Sequence, residues 1–114
     1  MKVEATKQRL ALIMTQEELE RLTFLDFGEK GEAMGIKTEV LADVHDMTKN
    51  GAFRFLKNLV RSTRDSFWLV VIHGYNNGHV IRDSLREEEL DPRAGLPYEV
   101  IDNAGRTFFD IEAA

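Results

Sequence analysis

The strongest pattern of apolar and polar positions lies between residues 49 and 64. Ala52, Phe53, Leu56, Leu59 and Val60 recur at helical spacing. Thr48 stands just before them as an N-cap, so the pattern predicts a helix from Lys49 to Arg64. Arg54, Lys57, Arg61 and Arg64 form a second, basic stripe beside the apolar one. Next comes an unbroken apolar run, Phe67 to Ile72, rich in aromatic and β-branched residues. Such a run predicts a strand covered on both faces, as in the interior of a parallel sheet. Thr38 to Val44, ahead of the helix, also reads as a strand. Strand, helix and strand in this order predict a right-handed βαβ crossover.

The flanks are less regular. Gln8 to Met14 is short and apolar and reads as a strand. Thr15 followed by Glu18 matches a capping box and predicts a helix running to about Phe27. Gly28 to Gly35 reads as a polar, glycine-rich loop. After the apolar run, His73-Gly74-Tyr75-Asn76-Asn77-Gly78 makes a turn, with a helix expected from His79 to Glu88. Pro92 to Pro97 reads as a linker, and Tyr98 to Ile101 and Arg106 to Ile111 as strands around an Asp102–Gly105 turn. The expected fold is a two-layer α/β sandwich with a mixed sheet of about four strands around the βαβ unit. Residues 1–37 are expected to form an extension and residues 38–112 the domain proper.

Composition narrows this picture. A chain of 114 residues with 43% apolar residues is enough for one domain with a real core. The absence of cysteine excludes disulfides and thiolate zinc sites and suits a reducing compartment. No apolar run reaches the roughly 20 residues that span a bilayer, and Met1 to Thr6 lacks the apolar stretch of a signal peptide. A cytoplasmic protein with no membrane partner is expected. The net charge of −5 excludes a nonspecific polycation, yet charge is unevenly placed. Residues 41–86 carry seven bases and four acids, whereas residues 87–114 carry two bases and eight acids.

Candidate chemistry gathers at the strand ends. Asp43 and His45 are two apart, so on a strand both side chains leave on one face. The turn from His73 joins a buried strand to a helix, where glycines allow close backbone approach and a helix N-terminus favours phosphate. In a βαβ unit the C-terminal ends of both strands share one edge, the edge at which open α/β sheets bind ligands. Asp43, His45 and His73 are therefore expected there, with His79 close by. A histidine beside a carboxylate suits general acid–base work near neutral pH. Each feature also has a plainer use: a capping strand end, a tight turn, a solvated basic stripe.

These residues resemble the Smr (small MutS-related) domain family. Ala42-Asp43-Val44-His45-Asp46 is similar to its leucine-aspartate-x-histidine-glycine motif. His73-Gly74-Tyr75-Asn76-Asn77-Gly78 is similar to its histidine-glycine-x-glycine-x-glycine motif. Arg82 matches a basic residue in the following helix, and Asn103 to Thr107 resembles the glycine turn before the last strand. The likeness covers residues 38–112, with Asp46 and Asn76 standing where the family has glycine. It implies binding to DNA, RNA or the ribosome, with nicking or cleavage in some members. On that reading Asp43, His45 and His73 are catalytic, with Asp43 orienting a histidine or holding a divalent ion such as Mg or Mn. Gly74, Tyr75, Asn76, Asn77, Gly78 and Arg82 hold phosphate, and Arg54, Lys57, Arg61 and Arg64 track the backbone. Tyr75 is a candidate base-stacking platform, whereas Phe53, Phe55 and Trp68 read as core. Two other classes stay open. One is a noncatalytic module docking on RNA, a ribosome or a protein. The other is a small-molecule phosphate enzyme, disfavoured because no second nucleotide fingerprint accompanies the turn.

Overall fold

A computed structural model describes residues 1–74, 79–101 and 103–114. The elements in order are α1 (Val3–Ala11), α2 (Gln16–Glu20), β1 (Leu22–Leu25), α3 (Gly28–Ala33), β2 (Glu39–Asp43), α4 (Lys49–Ser62), β3 (Phe67–Ile72), α5 (His79–Glu87), β4 (Tyr98–Val100) and β5 (Asn103–Ile111). The five strands form one mixed sheet in the order β1-β2-β3-β5-β4. Among the described residues β2 and β3 run parallel and the other neighbours are antiparallel.

The central βαβ unit forms as its pattern predicts. Thr48 caps α4 through its hydroxyl, which accepts from the Gly51 amide at 3.1 Å. Ala52, Phe53, Leu56, Leu59 and Val60 are buried, and Phe55 joins them. Beneath α4, the buried face of the sheet presents Val40, Ala42, Phe67, Leu69, Val71, Phe109 and Ile111 to one core. Leu10 of α1 and Ile81 and Leu85 of α5 complete that core, so this face carries the helical layer.

Alternate residues point to the other face. Register places Thr23, Leu41, Val70, Phe108 and Tyr98 in one row across all five strands. Trp68 sits in the next row between Glu39 and Asp110. It packs against the Phe108 ring at 6.1 Å, and Tyr98 does so from the other side at 6.4 Å. Trp68 is only half-buried and lies outside the main core, unlike Phe53 and Phe55.

The flanking segments depart from expectation. Residues 8–14 are not a strand: α1 runs through Ala11, with Thr6 and Leu10 buried one turn apart. The capping box at Thr15 and Glu18 is present, yet α2 ends at Glu20 rather than near Phe27. Leu22 and Phe24 instead alternate with Thr23 and Leu25 as β1 pairs with β2. Tertiary pairing overrides local helix propensity there. Gly28–Ala33 is a short helix rather than a loop, closed by Gly35 in the left-handed region at φ 78°. The sheet thus gains a fifth strand from residues 1–37, which join the same sheet and core.

Deleting a side chain from the interface between α4 and the sheet tests this account. Leu56→Ala is expected to cost about 2–5 kcal/mol, the range for emptying a fully buried leucine site. Thr48→Ala is expected to cost about 1 kcal/mol. Urea denaturation read by circular dichroism measures both.

Candidate functional site at the sheet edge

Parallel pairing brings the ends of β2 and β3 to one edge. The Val44 amide donates to the Ile72 carbonyl at 2.9 Å, which continues the ladder past Asp43. Val44 is fully buried, so Asp43 and His45 on either side of it turn outward. Asp43 Oδ1 accepts from the His45 amide at 3.1 Å and lies 2.6 Å from His45 Nδ1. A carboxylate only accepts, so Nδ1 carries the proton and Nε2 is left for exchange. The hydrogen bond and charge of Asp43 raise the His45 pKa above its ordinary 6.5. Both side chains are substantially exposed, 58% for His45 and 40% for Asp43.

Gly74 closes the site from the β3 side. Its φ of 80° suits glycine, and a Cβ there would stand 3.3 Å from His45 Cβ. The glycine lets the backbone after β3 lie against the His45 side chain. The Gly74 amide donates to the Gly105 carbonyl at 3.0 Å, anchoring this backbone to β5.

His73 takes the opposite direction. Register pairs Asp43 with Ile72, so the residue after Ile72 points through the other face of the sheet. His73 is 1% exposed. Its Nδ1 lies 3.1 Å from the Gly74 carbonyl and its Nε2 2.9 Å from Thr107 Oγ1. The carbonyl requires the proton on Nδ1, so Nε2 accepts from the Thr107 hydroxyl. Burial, together with the charges of Arg82 and Arg86, lowers the His73 pKa below 6.5. His73 is thus a neutral histidine with both ring nitrogens engaged, at the same edge as His45 but turned into the fold.

One contributor was not legible as a site residue. Arg21, following α2, donates from Nη1 to the Asp43 carbonyl at 3.1 Å and to Asp46 Oδ1 at 2.7 Å. Its Nη2 reaches Glu17 at 3.3 Å. This guanidinium fixes the loop that carries His45 and neutralises Asp46, whose pKa it holds below the usual carboxylate value. The Asp46 carboxylate is therefore paired with a cation from the first 37 residues.

The basic candidates divide into three places. Arg54, Lys57 and Arg61 line a groove of about 390 Å³ along α4, together with Lys49, Asn50 and Asn58. Lys49 and Lys57 hold their ammonium groups 6.0 and 5.9 Å from the Phe53 ring centre. Lys49 also pairs with Glu88. Arg64 lies beyond the end of α4, at the opposite sheet edge. On α5, Arg82 bonds Asp83 at 3.1 Å and Arg86 pairs with Glu99. Tyr75, Asn76, Asn77 and Gly78 lie outside the described residues.

Among the described residues, no group of three His, Asp or Glu side chains is arranged to hold a metal ion. Nor is any helix long and apolar enough to cross a membrane. Comparison with known proteins finds no matching family model, characterised protein or solved structure.

Proton titration followed by NMR tests the geometry. His45 is expected to titrate above 6.5 and His73 below it. Asp43→Asn should bring His45 back down without moving His73. The signs for stability are opposite. The His45–Asp43 pair stabilises the fold at low pH and fades as pH rises through the raised pKa. Neutral His73 is favourable above 6.5 and opposes folding as pH falls below it, because the unfolded chain then binds the extra proton. Thr107→Val, which strands His73 Nε2 without a donor, is expected to cost about 1–3 kcal/mol at neutral pH.

Proposed function

We propose that this chain is a cytoplasmic, Smr-like nucleic-acid-binding domain in which the His45–Asp43 pair acts on a phosphodiester held along α4. The observation that carries this reading is adjacency along the chain. The pair sits just ahead of the Thr48 cap, and the basic groove begins at Lys49, the first residue of α4. The groove then follows the helix to Arg61, about 18 Å further along at 1.5 Å per residue. Unpaired guanidinium and ammonium groups at this spacing suit successive phosphates, and the asparagines between them add hydrogen bonds. The whole chain carries a net charge of −5, so a local basic patch, rather than the general surface, is what nucleic acid would contact.

In the proposed reaction His45 Nε2 takes a proton from water or from a 2′-hydroxyl as that oxygen attacks phosphorus; the P–O bond to the departing ester oxygen breaks, and that oxygen takes up a proton from solvent water. Asp43 keeps the imidazole in the Nδ1-protonated form and stabilises the cation that results. The Gly74 backbone, lying against His45, bounds the space for the reacting group. His73 positions that backbone through its bond to the Gly74 carbonyl rather than meeting substrate.

A noncatalytic docking module on RNA or the ribosome is the second reading. What favours it is His73: with that ring buried and fully engaged, His45 alone of the Asp43, His45 and His73 set is left to do the work of acid and base.

Labelled single-stranded and branched RNA and DNA, with and without Mg²⁺ or Mn²⁺, separate these readings. Neutralising Arg54, Lys57 and Arg61 together is expected to weaken binding and to lower the salt slope by about 2 for single strands, three phosphate contacts at about 0.7 each. An unchanged affinity removes the groove from function. His45→Ala should keep most of the binding and lower cleavage by about 10²-fold or more. Binding by the wild-type protein with no cleavage under any metal condition leaves the docking module.

A further inference from the structure

The unpaired cations of this acidic chain are not scattered. Of its 15 lysines and arginines, six form salt bridges within the described residues, and Arg93 is spent on main-chain carbonyls. The remaining eight include the three of the α4 groove. Three others, Lys2, Arg9 and Arg64, surround a single cavity at the far end of the sheet. That cavity has a volume of about 740 Å³. Its walls are set by Lys2, Ala5 and Arg9 on the α1 side, Ile36 to Thr38 at the start of β2, and Arg64 to Ser66 at the start of β3. The two acids on its wall are Glu32 and Asp65. Its fourth base, Lys37, is held at 2.6 Å by Asp110.

We infer that this cavity is a binding site for an organic phosphate, a nucleotide or the phosphorylated end of an oligonucleotide, separate from the His45 edge. Three cations with no protein partner around one concavity raise the local positive potential that an anion senses, and low-dielectric walls focus it. Arginine forks suit phosphate oxygens in particular. The hydroxyls of Thr38 and Ser66 on the same wall offer further donors. Size excludes a bare inorganic ion as the fitting ligand. The volume lies within the roughly 300–1,000 Å³ that encloses organic molecules, and Ala5 and Ile36 supply apolar wall for a base or sugar. The site is built at the N-terminal ends of β2 and β3, so α4 lies between it and the sheet edge of the proposed reaction. It uses none of that reaction's residues apart from Arg64, which the structure removes from the groove.

Titration of the full chain with adenosine 5′-monophosphate, adenosine and inorganic phosphate, followed by amide NMR, tests the inference. The monophosphate is expected to shift the Thr38, Lys37 and Ser66 amides in a saturable way, with adenosine and phosphate each binding at least tenfold more weakly. Arg9→Ala with Arg64→Ala should weaken the monophosphate by about tenfold or more, the scale of losing charge-assisted hydrogen bonds. Lys30→Ala, which removes an unpaired cation outside the cavity, should leave it unchanged. A 5′-phosphorylated oligonucleotide that outcompetes its 5′-hydroxyl twin at the same amides identifies a nucleic-acid end as the source. Equal competition by the two identifies the free nucleotide. Shifts confined to the α4 groove, or equal affinity for phosphate and the monophosphate, would overturn the site without touching the proposal for His45.

Discussion

The arrangement rests on the one parallel strand pair. Because β2 and β3 run the same way, with Asp43 opposite Ile72, both chains leave the sheet at one edge and both must turn back there. The connection between them has to be a crossover, and α4 supplies it with a face of buried aliphatic and aromatic side chains. That packing fixes where the basic side of α4 emerges and how far it runs from His45. The register also decides which histidine is available. One residue of slip would exchange the roles of Ile72 and His73, because side chains alternate across a strand. Burial of Phe67, Leu69 and Val71 on the helical side holds the register in place.

Charge at the edge is organised from outside the βαβ unit. Arg21 arrives from the N-terminal segment, between a capped single turn of helix and an edge strand, and meets three acceptors in the loop and in α2. A loop that would otherwise present two carboxylates around His45 presents one, already bonded to the ring. The first 37 residues thus shape the electrostatics of the site while also extending the sheet.

Legibility along the sequence follows the range of the forces involved. The amphipathic period of α4, the Thr48 cap and the FWLVVI run are local signals: the structure realises the helix, the cap and the strand, while helices cover that strand on one face only. The edge itself is legible too, since a crossover between parallel strands brings the chain at Asp43, His45 and His73 to one place, though the His73 side chain turns inward there. What was not legible depends on partners distant in sequence. Leu22 and Phe24 become a strand because β2 offers an edge, against a capping box that favours helix. His73 becomes a core residue because of a strand register and because Thr107, 34 positions away, supplies its donor. Arg21 carries no motif at all. Its role appears only when β1 is laid beside β2. Arg64 continues the basic stripe in sequence and leaves it in space, because α4 stops at Ser62.

The two faces of the sheet differ in a way that has an optical consequence. Trp68 is the chain's only tryptophan, and it stands on the face opposite the helical layer, beside Phe108 and half open to water. Intrinsic fluorescence therefore monitors the wetting of that face rather than the density of the core. A molecule seated in the α4 groove leaves the indole's surroundings as they are, whereas anything laid across the strands dries them. Emission wavelength is a native gauge of which side of this sheet has been covered.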